Sequence, residues 1–185
     1  MKTIALIIAA ILLVTGTSAQ DNAAKKETGN VNLSRKEKRK AELEAGYQQT
    51  KALLDTRQFV LEADWIGGRG GQRIPVTANL NFISVDSAQT VIQTSSNSRL
   101  GYNGLGGITA EGTISNWKEK ANEKNKTFFI SFEVMSRTGI YSISMDVSAS
   151  GNATATLSGI YAGRLVYTGN LVALEDSRVF KGTSR

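Results

Sequence analysis

From Gln58 to Leu174 the chain changes side-chain character at every second residue, and that period of two constrains its fold more than any other feature. "QFVLEADWI" sets Phe59, Leu61, Ala63 and Trp65 on one face, and "KTFFISFEVM" does the same with Phe128, Ile130, Phe132 and Val134. "IYSISMDVS" alternates Tyr141, Ile143, Met145 and Val147 with Ser142, Ser144, Asp146 and Ser148. Runs of this kind at 58–66, 73–85, 89–95, 107–118, 126–135, 140–148, 152–161 and 164–174 predict about eight strands. One apolar face per strand means an antiparallel sheet with one wet side, since parallel strands under helices are apolar throughout. The connections are short turn chemistry: Asp86-Ser87, Glu123-Lys124-Asn125, Ser136–Gly139, Ser150-Gly151-Asn152 and a break at Ala162-Gly163. An open meander of this length exposes two edges and an apolar face, so it must close or fold over. The expected fold is all-β with an N-terminal helix, the strands of residues 58–185 forming a barrel or strongly curled sheet of lipocalin-like architecture. The alternative is a two-sheet sandwich.

Residues 34–57 carry helix signals instead. Ser34 followed by Glu37 makes a capping box. Leu43, Tyr47, Thr50 and Leu54, with Leu53 beside them, make a narrow stripe on an otherwise polar and basic helix, enough to dock on a sheet. Gly46 interrupts it at a cost of about 1 kcal/mol. Ahead of the helix, "QDNAAKKETGNVNL" (20–33) has no periodicity and reads as a flexible leader.

The first 19 residues have the three-part layout of a secretory signal peptide: Lys2, an apolar run from Ile4 to Val14, then small residues up to a cleavage point between Ala19 and Gln20. The run is shorter than the roughly 20 residues that span a bilayer, so no transmembrane segment is expected once it is removed. Export, with no cysteine in the chain, means a fold held by burial alone, without disulfides. The formal net charge of +6 falls by one with the loss of Lys2. Outside the cytoplasm an excess of that size suits anionic lipid, acidic glycan or an envelope protein rather than nucleic acid.

The stretch "RLGYNGLGGITAEGTISN" (99–116) crowds four glycines, Gly101, Gly104, Gly106 and Gly107, ahead of a strand. A phosphate-binding loop needs a Lys-Ser/Thr pair and a following helix, and neither is present; the G-x-x-G-x-G-G spacing fails the dinucleotide pattern too. The glycines are expected to bend backbone where a loop enters a curved strand. Arg99, Tyr102 and Asn103 nevertheless bring charge, stacking surface and amide donors together, and they form one candidate ligand-contacting loop. A second is "WIGGRGGQR" (65–73), where Trp65 offers a rim aromatic and Arg69, with Arg73, offers guanidinium groups to an anion.

"RQFVLEAD", "NFISVD", "GYNGLGGITAEGTISN" and "VFKG", in that order, resemble the domain-of-unknown-function family 4251 of exported proteins in Bacteroidetes-type bacteria, over residues 35–183. The resemblance implies an all-β exported domain in the periplasm or cell envelope of a Gram-negative bacterium. It supplies no catalytic residues. Asp86-Ser87-Ala88 also resembles a short O-glycosylation acceptor pattern of that bacterial group, which makes Ser87 a candidate modification site.

Histidine and cysteine are both absent, which removes the usual nucleophile–base pairs and the histidine- or thiolate-bound metals. No cofactor motif and no calcium-loop pattern occurs. Glu62 and Asp64, two apart on a strand, and Glu111 are the carboxylates from which a glycan hydrolase would have to be assembled. The expectation is therefore a non-enzymatic envelope protein, either binding a hydrophobic or amphipathic ligand in an enclosed cavity of roughly 300 Å³ or more, or acting with a filled core as a structural or protein-interaction module.

Overall fold

The computed structural model describes residues 34–68, 71–95, 107–159 and 163–182. The signal segment with its Ala19–Gln20 junction, the leader 20–33, and Arg69, Arg99, Tyr102 and Asn103 lie outside the described residues. Helix α1 (Arg35–Thr56) begins at the capping box: the Ser34 hydroxyl accepts from the Glu37 N–H and the Glu37 carboxylate accepts from the Ser34 N–H at 2.8 Å. These bonds with Ser34 hold the Glu37 carboxyl below its usual range. Arg57 ends the helix in the left-handed region, φ 53°.

Nine strands follow: β1 (Gln58–Gly67), β2 (Arg73–Pro75), β3 (Phe82–Asp86), β4 (Gln89–Thr94), β5 (Ile108–Asn122), β6 (Thr127–Ser136), β7 (Gly139–Ser148), β8 (Asn152–Gly159) and β9 (Gly163–Ala173). Neighbours pair antiparallel in chain order, and β9 returns to β1 with a register from Phe59↔Ala173 to Gly67↔Val166. That last pairing closes an eight-stranded barrel and rules out the sandwich. β2 is the extra strand. The predicted run 73–85 splits because Pro75 has no N–H to continue a ladder, and the chain turns through a 3₁₀ segment (Ala78–Leu80) before resuming as β3.

Alternation behaves as expected on β6 and β7, where Phe128, Ile130, Phe132 and Val134 meet Tyr141, Ile143, Met145 and Val147 in one core. On β1 it breaks. Ala63 pairs with Gly169 but Trp65 pairs with Thr168, so Asp64 is an inserted residue, a β-bulge. Beyond it the parity reverses: Ile66 turns inward and is buried, whereas Trp65 is 45% exposed on the outer face. β5 carries a second irregularity between Ser115 and Lys118.

α1 lies across one end of the barrel, here called the lower end. Tyr47 stacks on Phe128 at 4.7 Å, Thr50 donates to the Ala149 carbonyl at 3.0 Å, and Leu54 is wholly buried. Trp117 stacks on Phe132 at 5.2 Å beside them. Leu43, expected in the docking stripe, is half exposed, one turn short of the barrel. Above this floor the inward side chains Phe59, Leu61, Ala63, Ile83, Val85, Ile130, Val134, Met145, Ala155 and Tyr167 expose none of their surface. A water-sized void beside any of them would show as exposure, so the barrel is packed through its middle.

The C-terminal segment runs back over the outer wall. Ser177 donates to Glu62 at 2.7 Å, and the Phe180 N–H donates to the Asn79 carbonyl at 2.8 Å. Gln93 is completely buried beneath the segment. Its amide NH₂ donates to the carbonyls of Leu80 and Phe180, and its oxygen accepts from Thr109 Oγ1 and the Gly182 N–H. Phe82, the register partner of both Glu62 and Gln93, is thereby buried on the outer face.

Candidate functional site

The end opposite α1, here the upper end, is ringed by the strand termini Gly67, Arg73, Thr94, Ile108, Ser136, Gly139, Gly159 and Gly163. The two glycine-rich segments singled out in the sequence both connect strands there. Of the candidate ligand contacts in them, Trp65 and Arg73 are among the described residues. The expected place of Trp65 on the inner face is corrected by the Asp64 bulge: the indole stands on the outer wall.

Large apolar side chains are exposed around this rim. Ile74 pairs with the inward Ile66, and Ile108 pairs with Thr94, whose hydroxyl meets the inward Tyr167 at 2.5 Å. Both isoleucines therefore stand on the inner side of the mouth, 52% and 48% exposed. Met135 and Ile140, paired across the β6–β7 hairpin, point outward at 64% and 50%. With Trp65 they account for five of the eight large apolar side chains exposed among the described residues.

At this end a cleft of about 620 Å³ opens between Gly68, Gly71, Gly163, Arg164 and Val166. Arg73 reaches from β2 across β1 to donate to the Thr168 hydroxyl on β9 at 2.6 Å. Neither Arg73 nor Arg164 has an ion-pair partner among the described residues. Tyr167 closes the mouth from below. Burial pushes its phenol up to about 12, partly offset by its bond to Thr94.

The carboxylates do not assemble. Glu62 is held by Ser177, Asp64 accepts from Asn170 at 3.4 Å, and Glu111 pairs with Lys181 at 3.0 Å. The bulge also undoes the spacing that would have aligned Glu62 with Asp64. Among the described residues no cluster of three or more His, Cys, Asp or Glu side chains comes together to hold a metal ion. Ser87 is exposed in the β3–β4 turn, with φ 55°.

A family model described as "Domain of unknown function (DUF4251)" matches residues 41–171, most of the length anticipated from the motifs. The chain belongs to the DUF4251 family. A crystal structure of a DUF4251 family protein from Bacteroides eggerthii is similar at a TM-score of 0.63 and 30% identity, covering 76% of this chain and 95% of that one. No curated protein matches. The DUF4251 match ends at Leu171 and so leaves out the tail that covers Gln93.

What sequence reasoning missed at the rim is Ile74, Ile108, Met135 and Ile140. Met135 and Ile140 had a signal: both are apolar at positions where alternation demands a polar residue. Ile74 and Ile108 had none, because an apolar residue on the inward parity is expected to be buried.

Proposed function

We propose that this DUF4251 protein is an exported, non-catalytic component of a bacterial cell envelope that binds through the apolar upper rim of a filled barrel. The observation that carries this is the pairing of a packed interior with five large apolar side chains left in water at one end. Scattered apolar residues on a surface need no explanation, but a concentration of them marks an interaction site. The partner on this reading is an envelope protein that presents an apolar segment, with Arg73 and Arg164 meeting acidic groups at its border. Export rests on the first 19 residues and is tested by sequencing the N-terminus of the mature protein, expected to begin at Gln20.

A second reading, an amphipathic small ligand seated in the mouth, is favoured by Ile74 and Ile108 facing inward over Tyr167. Photo-crosslinking from position 137, in the exposed turn between Met135 and Ile140, in intact cells, together with native mass spectrometry of the purified protein, separates the two. A protein adduct that is lost in Met135→Ser/Ile140→Ser supports the first. A co-purifying small molecule that is lost in Ile74→Ser/Ile108→Ser supports the second. Neither adduct nor small molecule, with the protein folded, defeats both.

A further inference from the structure

A second cleft, of about 420 Å³, lies at the other end of the barrel, between the end of α1, the β3–β4 turn and the irregular part of β5. Its size falls within the roughly 300–1,000 Å³ of small-molecule sites. Three independent anomalies meet in it.

The first is backbone conformation. Four described non-glycine residues have positive φ, and three of them line this cleft: Arg57 at 53°, Ser87 at 55° and Asn116 at 52°. Glycine takes this conformation without steric cost, and it is the usual residue at a helix end of this kind. Strained positions of this sort concentrate at functional sites. The second is Trp117. Its Nε1–H is buried with no acceptor, the one such side-chain atom among the described residues, and a buried donor of this kind calls for an explanation.

The third is charge. The Arg57 guanidinium lies over the Trp117 ring, 4.9 Å from its centroid, and has no ion-pair partner among the described residues. Asp55, which also lines the cleft, is committed to Lys51 at 2.8 Å. The carbonyls at the end of α1 attract a cation. That accounts for a basic residue here, but not for its strained backbone or for the unsatisfied donor beneath it.

The geometry points to a binding site for a small oxyanion, a carboxylate or phosphate carried on a compact body. Arg57 supplies the charge, Ser115 supplies a hydroxyl donor, and Ser87 supplies a second once it turns from the Asp86 carboxylate to which it donates at 3.4 Å. Drawing the guanidinium onto the anion uncovers the indole, whose N–H then finds its acceptor. This site is separate from the rim and stands or falls independently of it.

The chain has two tryptophans, so Trp65→Phe leaves Trp117 as the only indole and as a reporter inside the site. The full-length Trp65→Phe protein is titrated with inorganic phosphate in one arm and acetate in the other, at constant ionic strength, with Trp117 fluorescence as the readout. A saturable change is expected in at least one arm, and the arm that responds at lower concentration identifies the anion. Adding Arg57→Met weakens it at least tenfold. Arg57→Gly relieves the backbone, so it raises the melting temperature while abolishing the titration, which separates binding from folding. No saturable change in either arm, or an unaltered titration in Arg57→Gly, overturns the proposal.

Discussion

Gly169 shows how much a single position can decide. It pairs with Ala63 at the bulge, and a Cβ there would overlap the Glu62 carbonyl oxygen and crowd Ala63 Cα. Backbone has nowhere to retreat in a closed sheet, so Gly169→Ala is expected to cost about 3 kcal/mol or more, read from the urea midpoint. Gln93 matters for the opposite reason, because it is a polar residue that burial has fully satisfied. Replacing it with leucine removes the donor to the Leu80 and Phe180 carbonyls and the acceptor of the Gly182 N–H, at about 1–3 kcal/mol for each group left without water. The expected outcome is a destabilised protein in which trypsin cuts after Arg178 and Lys181 well before the barrel is attacked. Neither role was legible beforehand. Gly169 sits in a strand pattern as an unremarked glycine, and Gln93 has the outward parity of a solvated side chain; both depend on what another part of the chain lays against them.

Among elements, α1 is where sequence and structure agree on existence and differ on meaning. Ser34, Glu37, Tyr47, Thr50 and Leu54 behave as local rules dictate, since capping and period are properties of neighbouring residues. Gly46 does not. It looks like a helix defect, yet a Cβ on it would come 2.7 Å from the Ala149 carbonyl oxygen. Gly46→Ala, which in an isolated helix gains about 1 kcal/mol, is expected here to lower the thermal midpoint, because the helix must lift from the β7–β8 turn that Thr50 also grips. The strands were legible to within a few residues wherever alternation ran unbroken, as on β6 and β7. They were misread at Trp65, because one inserted residue reverses parity and leaves no trace in composition. At the end of the glycine block, Gly107 enters β5 so close to β4 that a Cβ there would overlap the Thr94 carbonyl.

For the molecule as a whole, stability should depend on pH at the alkaline end. An unfolded tyrosine titrates near 10, whereas Tyr167 is pushed up to about 12 by burial. The folded state therefore holds that proton more tightly. The contribution is intact below pH 10 and drains away as pH rises through 12, amounting to about 3 kcal/mol. Urea midpoints measured at pH 8 and pH 11.5 are expected to fall by a smaller margin in Tyr167→Phe than in the parent. The same architecture that buries this phenol separates two ends of unlike character: a floor sealed by α1 and aromatic stacking, and a rim that leaves isoleucine and methionine in water. That division was foreseeable only in part, since strand count and closure follow from pattern while the exposure of Ile74 and Ile108 depends on how far the wall extends above its packed interior.

The seam between β1 and β9 joins residues 99 to 114 positions apart, from Gly67↔Val166 to Phe59↔Ala173. During synthesis, β9, the partner of Phe59 and Leu61 across the seam, leaves the ribosome after every other strand of the barrel. Until then the nascent chain can build hairpins but no finished barrel, and long-range pairing of this kind is slow to form. Closure therefore waits on a single late pairing, and every earlier hairpin of the wall must stay open until β9 arrives to join β8 to β1.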